Sequence, residues 1–83
     1  MATQLGPKAI DCLTLAELCS QRDKWDEHYA AICARYSEKA VTAKLEELAD
    51  RGYIEYGVTA RRGWLTEKGR AALNQARVTP ASS

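Results

Sequence analysis

The side chains in this 83-residue chain that could do chemistry fall into three groups. The first is Cys12, Cys19, Cys33 and the single histidine, His28. No two cysteines form a CxxC pair, and His28 has no partner at ligand spacing, so a zinc site is not expected. The cysteines read as reduced thiols packed like small hydrophobes; Cys12 and Cys19 would share a face if one helix carried both. The second group is the carboxylates. They are scattered, whereas acid–base catalysis needs groups that converge in a pocket. With no phosphate-binding glycine loop and no nucleophile elbow, neither an enzyme nor a cofactor is expected. The third group is cationic. Arg61 and Arg62 lie between Gly57 and Gly63, at the tip of an expected hairpin, where guanidinium groups can meet phosphates.

These residues must be held by a small framework. The length suits one domain, with one modest core. With 46% hydrophobic and 28% charged residues, the composition is that of an ordinary globular protein. No apolar run approaches the roughly 20 residues of a membrane span, and no signal-peptide pattern opens the chain. The expected location is the cytoplasm, which in a bacterium includes the nucleoid. The net charge of only +1 means that any polyanion contact must depend on locally clustered cations.

Residues 1–5 read as a flexible tail, 6–77 as the domain and 78–83 as a second tail. Gly6-Pro7 suits a helix start, and Ile10, Leu13, Leu15 and Leu18 follow at helical spacing. Thr14 and Glu17 match a capping box. Two readings stay open: one helix from Pro7 to Gln21, or a break near Leu13 with a new helix from Thr14. Asp26 can cap a second helix, Glu27 to Arg35, with Tyr36 in the following turn. Trp25 and Tyr29 either lie half-exposed at a dimer surface or cover the first helix, and His28 reads as a surface helix residue.

Ser37 is a good N-cap for a third helix. Val41, Leu45 and Leu48 form its apolar stripe, and Gly52 supplies a left-handed stop. Tyr53 to Val58 has strand composition, with Ile54, Tyr56 and Val58 on one face. Trp64 and Leu65 begin the return strand, Trp64 packing under the hairpin. Thr66 caps a last helix from Glu67 to about Ala76. The expected core is Ile10, Leu13, Leu18, Ile32, Val41, Leu45, Leu48, Ile54, Trp64, Leu65 and Leu73.

LEELADRGYIEYG, from Leu45 to Gly57, resembles the end of the recognition helix and the first wing strand of winged helix-turn-helix regulators. WLTEKGRAAL, from Trp64 to Leu73, resembles their second wing strand and following helix. MarR-like and PadR-like bacterial regulators share the leucine-threonine-acid-lysine-glycine pattern after the wing. The resemblance covers about Asp26 to Leu73. It departs from the family in size: the extra helices of MarR-like proteins and the long C-terminal dimerisation region of PadR-like proteins have no counterpart in this sequence, which resembles a reduced core of phage or mobile-element type.

The resemblance implies an α+β winged helix-turn-helix fold, mostly helical with a two-stranded wing. It also implies sequence-specific binding of double-stranded DNA by a small transcriptional regulator. The third helix would enter the major groove by its N-terminal residues. At about 100° per residue, burying the apolar stripe turns Lys39, Ala43, Glu46 and Asp50 outward, with Thr42 on the flank. Lys39 and Thr42 become candidates for base or phosphate contact, beside Ala43. The free N–H groups at Ser37 suit a phosphate, and Arg61 and Arg62 would reach the backbone or minor groove. Lys44 and Lys68 are further phosphate candidates. Few cations per copy imply a homodimer on two half-sites. Glu46, Glu47 and Asp50 on the same helix oppose phosphate contact and keep a second reading open: a protein-interaction module on this fold, such as a phage accessory or host-modulating protein, without DNA.

Overall fold

The computed structural model describes residues 5–58 and 63–78. Its elements run α1 (Pro7–Glu17), α2 (Arg22–Tyr36), α3 (Glu38–Asp50), β1 (Ile54–Glu55), β2 (Trp64–Leu65) and α4 (Glu67–Val78). Among the described residues, four helices and one two-stranded antiparallel sheet form a mostly helical α+β fold.

Pro7 opens α1, and the Ile10 N–H donates to the Gly6 carbonyl at 3.0 Å. Thr14 does not start a new helix: its hydroxyl donates back to the Ile10 carbonyl at 2.9 Å, inside one continuous element. That helix stops at Glu17, short of Gln21, and Cys19 falls in the turn. Cys12 and Cys19 therefore share no helix face. Cys12 is fully buried, and burial pushes its thiol up to about 11, so it stays protonated at neutral pH.

The second helix begins at Arg22, earlier than a start capped by Asp26 would allow, and no side chain caps it. Trp25 is buried and stacks on Tyr29 one turn later, with ring centroids 4.9 Å apart and planes 10° from parallel. A helix formed at Trp25 puts the two side chains on one face, one turn apart. The helix also includes Tyr36, expected in the turn.

A single residue, Ser37, separates α2 from α3. It has φ 90, a left-handed value rare outside glycine, and its Oγ accepts from the Ala40 N–H at 3.2 Å. Val41, Leu45 and Leu48 are buried, as their spacing requires. The helix ends in a Schellman motif. Gly52 takes φ 86, its N–H donates to the Ala49 carbonyl at 3.0 Å, and the Tyr53 N–H donates to the Leu48 carbonyl at 3.0 Å.

The strands pair Ile54 with Leu65 and Glu55 with Trp64. Side chains alternate, so Ile54 and Leu65 point inward while Glu55 and Trp64 point outward. Trp64 is accordingly not core; it is 45% exposed. The first strand is also shorter than Tyr53 to Val58. Tyr53 is spent on the helix stop, and Tyr56 and Val58 are exposed.

Thr66 joins the two ends of this half. Its hydroxyl donates to the Gly52 carbonyl at 2.6 Å and accepts from the Gly69 N–H at 3.0 Å, capping α4. Gly69 packs so tightly on the Tyr53 backbone that a Cβ there would strike the Tyr53 carbonyl. Arg77 closes α4 onto α1 through both oxygens of Glu17, at 2.8 and 3.2 Å. The core joins Leu13, Leu15, Trp25, Ile32, Leu45, Leu48, Ile54 and Leu73, among others, while Ile10 and Leu18 pack at its margin.

Candidate nucleic-acid interface

The seam of Val41, Leu45 and Leu48 decides what α3 shows to solvent. Lys39, Ala43, Glu46 and Asp50 are exposed in one row, and Thr42 is half-buried beside it. Ser37 is exposed at the head of the helix, with its side chain committed to the Ala40 N–H. Lys39 has no ion-pair partner among the described residues.

The other candidate cations are more constrained. Lys44 is half-buried and bonds Glu47 at 3.1 Å. That hydrogen bond, with the nearby charges of Lys44 and Arg51, holds the Glu47 carboxyl below its ordinary range despite a smaller opposing effect of desolvation. Lys68 donates to the Arg51 carbonyl at 2.8 Å and lies 4.8 Å from the centre of the Tyr53 ring. It satisfies a carbonyl just past α3, where a cation favours the helix dipole. Arg61 and Arg62 lie outside the described residues.

Packing adds two cations that the linear reading did not select. Lys8, in the first turn of α1, lies 5.7 Å from the Tyr36 ring centre, and Arg35 lies 5.8 Å from the same centre. Asp11 organises this group. Its carboxylate accepts from Arg35 at 2.9 Å and from the Tyr36 hydroxyl at 3.1 Å, and its carbonyl accepts from His28 Nε2 at 3.1 Å. Tyr36 and then the Asp11 charge hold Arg35 above its ordinary pKa. Lys8 and Arg35 thus share the Tyr36 ring, and Arg35 is paired with Asp11 of α1. No local periodicity announces this group, since its partners lie far apart along the chain. The adjacency of Arg35, Tyr36 and Ser37 was the one available signal.

This end of α3 is not purely cationic. Glu38 is in its first turn and accepts from the Tyr29 hydroxyl at 3.1 Å. The other end is more acidic, with Glu46 and Asp50 exposed on α3 and Glu55 exposed on β1. Among the described residues, no group of three or more His, Cys, Asp or Glu side chains could hold a metal, and no helix is long and apolar enough to cross a membrane. Comparison with protein-family models, curated proteins and solved structures finds no match.

Proposed function

We propose that this chain is a winged helix-turn-helix protein that binds double-stranded DNA in a sequence-specific way, as a small transcriptional regulator. The order of helices and hairpin supports this reading. The observation that carries it is the exposed head of α3, where Ser37, Lys39 and Ala43 face solvent, with Lys8 and Arg35 over the ring of Tyr36 at the end of α2. Here Lys39 and Thr42 approach base edges, while Lys8, Arg35 and the α3 N-terminus meet phosphates. Arg61 and Arg62 add contacts from the wing, with Lys44 and Lys68 in secondary positions. The protein does no chemistry; it acts by occupying a site, as a dimer on two half-sites. Cytoplasmic location follows from the same reading.

A protein-interaction role without DNA is the second reading. It is favoured by Glu46 and Asp50, which share the exposed face with Lys39. Salt dependence separates the two. Binding of the full chain to a random duplex library at low salt should fall with a log–log slope of about −0.9 for each phosphate neutralised. Absence of binding at low salt contradicts the DNA reading.

A further inference from the structure

The C-terminal end of α3 and the hairpin enclose an open cleft of about 370 Å³, lined by Ala49, Asp50, Ile54, Glu55, Tyr56 and Trp64. Two of these are large aromatic side chains left in solvent, Tyr56 at 43% and Trp64 at 45% exposure. Trp64 stands opposite Glu55 in the antiparallel pair, which puts the indole and the carboxylate side by side on one face. Asp50 and Glu55 enter no ion pair or side-chain hydrogen bond among the described residues. Among the described residues, the cations that follow α3 are engaged elsewhere: Arg51 lies 3.4 Å from Glu47, and Lys68 bonds the Arg51 carbonyl.

Among the described residues, the lining therefore combines exposed aromatic surface with two carboxylates and includes no cation. An anionic ligand would meet repulsion. A purely apolar one would strip water from Asp50 and Glu55 without replacing their partners. A guanidinium satisfies both features: it is weakly hydrated, stacks on aromatic faces and pairs with carboxylates through parallel hydrogen bonds. We propose that this cleft docks an arginine-bearing segment of a partner protein. The inference rests on the charge and shape of the cleft and holds whether or not the opposite end of α3 contacts DNA.

The test is an amide-resolved NMR titration of the full chain with a capped hexapeptide of alternating arginine and leucine. The expected result is a saturable set of shifts at residues 49–56 and at the Trp64 backbone and indole N–H, weakened by added salt. The double variant Asp50→Asn, Glu55→Gln should bind the peptide at least about tenfold more weakly. Both substitutions are at exposed positions, and the unshifted remainder of the spectrum reports an intact fold. The proposal is overturned by no saturable shift, by shifts centred elsewhere, or by undiminished binding in the double variant. It is also overturned by an equal response to a glutamate–leucine peptide, by a DNA duplex shifting the same amides, or by concentration-dependent shifts there without peptide, which would assign the cleft to a second copy.

Discussion

The two ends of α3 are built from the same seam and differ in charge: Lys39 and Glu38 are both exposed at the head, whereas Glu46 and Asp50 are exposed toward the tail. At the head, a single left-handed residue, Ser37, turns the chain, Lys39 is exposed in the first turn, and Lys8 and Arg35 lie over the ring of Tyr36, the last residue of α2. At the tail, the Schellman stop at Gly52 feeds a short hairpin, and Asp50, Glu55, Tyr56 and Trp64 surround a cleft. On the proposed reading, one helix serves DNA at one end and a cationic partner segment at the other. A net charge of +1 averages over this division and conceals it.

The most damaging change should be Leu45→Ala. Leu45 is 1% exposed in the middle of the seam, and its truncation should cost about 2–5 kcal/mol in denaturant unfolding. Both ends of α3 depend on that seam, so both sets of contacts should loosen together. Gly69→Ala should act on the tail. The added methyl meets the Tyr53 carbonyl, and relieving that clash should cost about 1–3 kcal/mol. Amide exchange should rise at Tyr53 and Thr66 while the Ser37 turn keeps its protection.

Ser37 isolates the head. Ser37→Ala removes the acceptor for the Ala40 N–H and should cost about 1 kcal/mol. Ser37→Gly loses the same acceptor but relieves the left-handed backbone, so it should be the more stable of the two variants. The reverse order would show that the hydroxyl outweighs the backbone geometry.

The smallest effect should come from the Arg77–Glu17 clamp, remote from the division between head and tail. Hydrogen bonding from Arg77 holds the Glu17 carboxyl below its ordinary value of about 4.5. Its contribution is fully present above that value and is lost as pH falls through the lower folded-state value. The pair is partly exposed, so it is worth less than about 1 kcal/mol. Arg77→Ala should flatten this part of the acid unfolding profile and leave neutral-pH ligand binding unchanged.

What could be read from the sequence was local. Val41, Leu45 and Leu48 at helical spacing, Ser37 as a cap, Gly52 as a stop and Thr66 as a second cap each depend on neighbours within a turn or two. The structure has all of them. The outward row of Lys39, Ala43, Glu46 and Asp50 follows from the same rotation. Trp64 was misplaced because a two-residue strand gives alternation little purchase: either Trp64 or Leu65 could face inward, and pairing with Ile54 selects Leu65. The early start of α2 was hidden because it has no capping side chain and its added turn carries Trp25, which is buried in the core cluster. The group around Asp11 joins α1 to the end of α2, a contact that no short window contains.

On the proposed reading, the head of α3 faces DNA and its tail does not. The most direct measurement is an amide-resolved NMR titration of the full chain with a short DNA duplex at low salt. The account predicts shifts centred on residues 37–43 and near Lys8 and Arg35, with residues 50–56 and Trp64 unmoved. No shifts, or shifts centred on Asp50, Glu55 and Trp64, would contradict it.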